Sequence, residues 1–192
     1  MDRRLTWQSH IQHILNKINK QCGILYLTRK CFPAEVLKQL YYTLVYPYFS
    51  YCHTIWATAG VSKTNRIYLA QKRIIRTITF KRKYDHTNDA FKSLKLLKWD
   101  DIGMYCSAIY VYKSLKNGNS SNLFKFCSNE RYDLRSNYTG QLEIPSLRSN
   151  QSQKSIIYHG VKVWNALPPY IRDKPSLMGF KISLKSYLLS GY

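Results

Sequence analysis

The residues that most constrain this chain are Ile11, Ile14, Leu15, Ile18, Cys22 and Leu25, which recur at steps of three and four. That spacing gathers the apolar groups on one side of a helix, where a strand would scatter them over both faces. A helix with a single apolar stripe is marginal in water and needs a second apolar face to cover it. The chain supplies several. Cys31-Phe32-Pro33-Ala34-Glu35 reads as a break and a new helix start, since proline is tolerated and glutamate favoured in a first turn. Val36, Leu37, Leu40, Tyr41, Leu44 and Val45 carry this second helix to Pro47, and the aromatic stretch from Tyr48 to Trp56 predicts a third. Thr6 is expected to cap the first helix, near Trp7.

A fourth helix is expected over about residues 62–79, with Ile67, Ala70, Ile74 and Ile78 on one side. At about 100° per residue, Arg66, Arg73 and Arg76 gather on the other side with Lys72 beside them, and Leu69 interrupts the row. Lys81, Arg82 and Lys83 follow directly. A short helix from Thr87 turns Ala90, Phe91 and Leu94 inward, and a longer one starts at Asp100 or Asp101 and runs through Ile102, Tyr105, Ile109 and Tyr112 to Asn117-Gly118-Asn119. Residues 117–154 are rich in Ser and Asn and lack a period. Two short strands, Gln141 to Ile144 and Ser155 to Tyr158, are expected to form a small β-hairpin. Val161 to Leu167 predicts a short helix that Pro168 and Pro169 end, with Asn165 bonding to local backbone. Leu177, Phe180, Leu184, Tyr187 and Leu188 mark a last amphipathic helix. The expected fold class is therefore mainly α. It comprises a helical bundle over 1–98, a helix over 99–116, an irregular segment over 117–154 and a C-terminal module over 155–192.

With 192 residues the chain is one domain, or one with a small appendage, and can bury about 70% of its unfolded surface. Apolar residues make up 45% and aromatic residues 15%, which excludes an intrinsically disordered class. The charge is what points to a partner. Thirty Lys and Arg stand against ten Asp and Glu, a net +20. Residues 1–98 carry 18 basic and 4 acidic side chains, net +14, while residues 99–192 carry net +6. An excess of this size favours a polyanion, most often nucleic acid. Five cysteines, none in a C-x-x-C pair, speak against a zinc ribbon or a disulfide framework. No signal-peptide apolar core and no apolar run of about 18 residues is found, so an intracellular chain without a membrane span is expected.

Catalytic patterns are weak. Asp100-Asp101 is the one adjacent acid pair, but Trp99 directly precedes it and the stretch opens a helix, where acids satisfy free N–H groups. His10 and His13 form H-x-x-H without the glutamate of a zinc-protease helix, and Cys52-His53 has no third partner nearby in sequence. Phosphate-binding glycine loops are absent. No cofactor or metal is expected, and binding remains. Arg66, Lys72, Arg73, Arg76, Lys81, Arg82 and Lys83 form the densest basic cluster, and Lys17 and Lys20 lie on the polar face of the first helix. Basic side chains spaced along one face suit a row of phosphates. The tyrosines at 41, 42, 46, 48 and 51 suit base stacking, although periodicity puts at least half of them in the core.

The order of these signals is itself informative. Leu5-Thr6-Trp7-x-x-His10-Ile11, Lys17-Ile18 and Gly23-Ile24-Leu25 come first. Leu40-Tyr41-Tyr42, Tyr46-Pro47-Tyr48, Ser50-Tyr51-Cys52 and Trp56 follow. Leu69-x-Gln71-Lys72-Arg73-Ile74-Ile75-Arg76, Leu94-x-x-Leu97, Trp164-Asn165-x-Leu167-Pro168 and Phe180-Lys181 with Leu184-Lys185 complete the series. In this order the chain resembles the region after the palm in reverse transcriptases of non-LTR (LINE-like) retrotransposons. The resemblance implies a thumb-like helical bundle over residues 1–98, followed by the element's C-terminal tail. It implies a grip on the backbone of RNA or an RNA–DNA hybrid, carried by the fourth-helix cluster. In that family the polymerase carboxylates precede the Leu-Thr-Trp segment, so none maps onto this sequence. The expectation is a non-catalytic portion of an RNA-directed DNA polymerase, from a truncated element. Its apolar faces would be covered by the missing palm or by self-association. The other class compatible with the sequence is a structural or interaction module, such as a host-recruited remnant.

Overall fold

Wherever the sequence offers a three–four apolar spacing the chain is helical, and the computed structural model is mainly α. It describes residues 6–56, 61–116 (side chains from Thr64), 123–127, 140–150 and 152–192. Two compact units result, Met1–Ile102 with Leu188–Tyr192, and Gly103–Tyr187.

The first unit contains α1 (Gln8–Thr28), α2 (Ala34–Leu44), α3 (Tyr46–Ser50), α4 (His53–Trp56), α5 (Val61–Ile78) and α6 (Asn88–Leu94). It also takes the first turn of α7 (Trp99–Lys116). All six apolar residues of the α1 stripe are buried, and the helix packs along α5, whose Ile67, Ala70, Ile74, Ile75 and Ile78 are buried too. Each fully buried Ile or Leu contributes about 1.5–3 kcal/mol. Phe49, His53 and Trp56 surround Trp99, with ring centroids 5.6, 4.4 and 5.3 Å from the indole. Among the buried polar side chains of this unit, one links three segments. Gln71 has no exposed surface, and its Nε2 donates to the Tyr41 hydroxyl at 3.0 Å and to the Leu97 carbonyl at 2.9 Å. A single amide thus joins α2, α5 and the segment leading to α7.

Two helices of this unit end on a left-handed residue that is not glycine. Phe80 follows α5 with φ +54°, and the Lys81 N–H reaches back to the Arg76 carbonyl at 3.0 Å. Lys95 follows α6 with φ +54°, and the Leu96 N–H bonds to the Phe91 carbonyl. Both are left-handed helix ends in which a bond six residues long satisfies a last-turn carbonyl. Holding a side chain there costs on the order of 1 kcal/mol. At Phe80 the ring lies under the Arg29 guanidinium, 5.5 Å away, which also covers Tyr26 at 4.3 Å.

The second unit continues α7 from Gly103 and adds a 3-10 turn (Ser152–Lys154), α8 (Ile156–Ala166), α9 (Pro169–Arg172) and α10 (Leu177–Ser190) as far as Tyr187. Phe180 stacks on Tyr112 at 4.4 Å and on Trp164 at 6.0 Å. α8 approaches α7 closely at Gly160, where an added Cβ would lie 3.0 Å from Val111 Cγ2.

Several expectations need correction. α1 begins at Gln8 with left-handed Trp7 as its N-cap, so Thr6 stands one place too early to cap it. The second helix stops at Leu44, and Pro47 occupies the first turn of α3, where its missing N–H is not needed. The predicted third helix is two, split at Tyr51-Cys52. Tyr51 is extended and gives its carbonyl to Trp56 Nε1 at 2.7 Å, and Cys52 has φ +49°. The expected hairpin is displaced. Ser155 to Tyr158 is not a strand, since Ser155 is the N-cap of α8 and the next three residues are helical. Leu142 pairs antiparallel with Phe126 instead, through Cys127 N–H to Gln141 O at 2.9 Å and Glu143 N–H to Lys125 O at 2.8 Å. Asn165 bonds a distant segment rather than its own turn. Its Oδ1 accepts from the Leu142 N–H and its Nδ2 donates to the Leu142 carbonyl, both at 2.8 Å. Trp164 Nε1 donates to the Gly140 carbonyl at 3.1 Å, so the Trp-Asn pair holds this bridge against α8. The expected Asn117-Gly118-Asn119 stop lies outside the described residues.

Candidate nucleic-acid interface

α1 and α5 lie side by side, and their exposed edges form a groove of about 240 Å³ lined by Gln12, Leu15, Asn19, Arg66, Leu69, Ala70 and Arg73. The spacing of α5 explains the pairing. Arg66, Leu69 and Arg73 fall within about 60° of one another around the helix. Arg66 Nη2 donates to Gln12 Oε1 at 3.1 Å, and Arg73 Nη1 donates to Asn19 Oδ1 at 3.3 Å. Gln12 in turn donates to Asn16 at 2.9 Å, so a row of uncharged amides on α1 faces two guanidinium groups on α5. No carboxylate lines the groove among the described residues. Leu69, which seemed to break the basic face, forms part of the groove between the two arginines.

The rest of the cluster is dispersed. Lys72 sits one step round α5 with its Nζ 4.3 Å from the centre of the Tyr68 ring. Arg76 and Lys81 are used locally. Arg76 Nε donates to the Asp85 carbonyl at 3.0 Å and Lys81 Nζ to the His86 carbonyl at 2.9 Å, closing the loop between α5 and α6. Asp85 completes that loop by accepting from the Arg82 N–H at 2.8 Å. The Arg82 and Lys83 side chains are exposed at its tip, Lys83 next to the Tyr84 ring. Lys20 is exposed and Lys17 half-buried on α1, turned about 100° and 160° from Asn19, so the groove does not include them. Sequence reasoning missed Gln12 and Asn19, which carry no charge and were visible only as polar positions a helical step from the α1 stripe.

Of the residues weighed for catalysis, Asp101, His10 and His53 are held in packing or hydrogen-bond contacts. Asp100 and Asp101 stand in the first turn of α7, and Asp101 Oδ2 accepts from the Tyr192 hydroxyl at 2.5 Å. Burial pushes the Asp101 carboxyl above its ordinary range, a shift that this hydrogen bond opposes. His10 lies edge-on between Trp7 and Trp56, at 6.0 and 5.3 Å. Burial, and secondarily His13, holds its pKa below the usual imidazole value. His53 is buried with Nδ1 2.7 Å from the Phe49 carbonyl. Cys22 is buried, and desolvation raises its thiol. Tyr41 is core, Tyr51 is exposed, and Tyr42, Tyr46 and Tyr48 are half-buried. Among the described residues no three His, Cys, Asp or Glu side chains converge as a metal site would need, and no helix is long and apolar enough to cross a membrane. No protein-family model, no curated protein and no solved structure matches the chain.

Proposed function

We propose that this chain grips the sugar–phosphate backbone of RNA or an RNA–DNA hybrid in the groove between α1 and α5. On this reading it is an intracellular, non-catalytic portion of a protein similar to non-LTR reverse transcriptases. One observation carries the binding role: two guanidinium groups seven residues apart on α5 face a row of amides across a groove free of carboxylate. Arginine, asparagine and glutamine are the usual donors to phosphate oxygens, and contacts of this kind position a duplex without reading its sequence. The family part of the proposal rests on the order of the sequence motifs.

The experiment is a gel shift with an RNA–DNA hybrid over a range of salt concentrations. Arg66→Gln with Arg73→Gln is expected to weaken binding and to lower the log–log salt slope by about 1.8, since each lost phosphate contact removes about 0.9. Arg82→Gln with Lys83→Gln should have the smaller effect. Equal affinity and slope in the groove variant refute the site. Failure of the unaltered chain to shift the hybrid at about 50 mM salt refutes the binding role and favours an interaction module.

A further inference from the structure

Within the second unit, Arg172 is 7% exposed. Its Nε and Nη1 are shut off from solvent and meet no hydrogen-bond acceptor. Native proteins rarely leave a buried cation in this condition, because desolvation is costly unless a counter-charge restores the loss. Asp173 is adjacent but exposed, and no ion pair joins it to Arg172 among the described residues. Burial accordingly holds the guanidinium below its ordinary pKa, with Asp173 opposing only in part.

Arg172 forms part of the wall of a cavity of about 370 Å³. Its other walls include Lys116, Asp173 and three aromatic side chains, Tyr112, Phe126 and Trp164. The Lys116 Nζ lies 6.0 Å from the centre of the Tyr112 ring, so a second cation stands beside an aromatic wall. The aromatic walls are firmly set. Trp164 is tied by its indole N–H to the Gly140 carbonyl, and the Tyr112 hydroxyl donates to the Lys174 carbonyl at 2.8 Å. The cavity therefore offers two cations against one exposed carboxylate, together with apolar planes, in a volume suited to a small organic anion.

We propose that this cavity binds a phosphate-bearing ligand the size of a mononucleotide, with the phosphate against Arg172 and Lys116 and the base against the aromatic walls. Phosphate supplies the counter-charge that no carboxylate among the unit's described residues supplies, and a guanidinium is the side chain best suited to it. The site is separate from the groove between α1 and α5 and does not depend on it.

Calorimetric titration of the full chain, at ionic strength held constant with sodium chloride, tests this with uridine monophosphate, inorganic phosphate and uridine. Saturable binding of the nucleotide is expected, about tenfold weaker binding of phosphate alone, and none of uridine over the same range. Arg172→Met fills similar space without charge and should weaken the nucleotide by at least about tenfold. Lys116→Gln, at an exposed position that leaves the fold intact, should weaken it about threefold. Arg66→Gln with Arg73→Gln should leave it unchanged, which separates this site from the groove. Equal affinity for uridine and its monophosphate overturns the proposal. So does nucleotide binding that is unchanged in Lys116→Gln and in folded Arg172→Met.

Discussion

Gln71 gives the sharpest test of how the first unit is held together. Its Nε2 serves two buried acceptors, the Tyr41 hydroxyl and the Leu97 carbonyl, while its own Oε1 meets no donor. Gln71→Leu keeps most of the volume and removes the amide. Stranding a buried acceptor costs about 1–3 kcal/mol, so two cost about 2–6 kcal/mol. Removing the unsatisfied Oε1 returns about 1–2 kcal/mol, which leaves a net loss of about 2.5 kcal/mol. Urea unfolding followed by tryptophan fluorescence reports on the right region, because Trp7, Trp56 and Trp99 all belong to the first unit. The midpoint should fall by about 1 M at unchanged slope. A second substitution sharpens the test. Gln71→Leu with Tyr41→Phe removes the stranded hydroxyl and should be about 1 kcal/mol more stable than Gln71→Leu alone. If Gln71→Leu is neutral, or if Tyr41→Phe makes it worse, the amide is not the link between these helices.

Asn165→Ala removes both bonds to the Leu142 backbone and should cost about 2–3 kcal/mol, with hydrogen exchange showing a faster Leu142 amide. Gly160→Ala forces a Cβ to within 3.0 Å of Val111 and should destabilise the second unit by about 1–3 kcal/mol in thermal melts. His10 predicts a pH effect. Its folded-state pKa lies below the ordinary value of 6.5, so its contribution is full above pH 6.5 and is lost as pH falls through the folded value. Denaturation between pH 7.5 and 5.5 should show stability falling, and His10→Gln should flatten that dependence.

Much of the helical framework was legible in the sequence because the signal is local. The stripe from Ile11 to Leu25 fixes one face of α1 by spacing alone, and Ala90, Phe91 and Leu94 do the same for α6. Boundaries failed where one local signal overrode another, as at Pro47, which starts α3 rather than ending the helix before it. The bridge was misplaced because its determinant is distant: Asn165 holds Leu142 from 23 residues away, and no periodicity encodes that contact. The candidate interface was half legible. Charge singled out Arg66 and Arg73, but nothing in a string of letters separates them from Arg76 and Lys81, whose long side chains fold back onto loop carbonyls. Gln12 and Asn19 carry no charge and could be recognised only once α1 lay beside α5.

The return of residues 188–192 to the first unit has a consequence for synthesis. The Tyr192 hydroxyl accepts from the Lys98 N–H at 2.7 Å and donates to Asp101, while its ring lies beneath the Lys98 ammonium and faces Phe91 edge-on. The second unit is thus an insertion within the first. A ribosome releases the chain from the N-terminus, and domains generally fold in that order. Here the guest unit has its whole sequence before its host does, and the host must wait with α1 to α6 assembled but its last contacts unmade. Residues near Tyr192 therefore serve helices made well before them, and a substitution at Tyr192 would disturb the segments around Lys98 and Phe91 before it disturbed its neighbours in sequence.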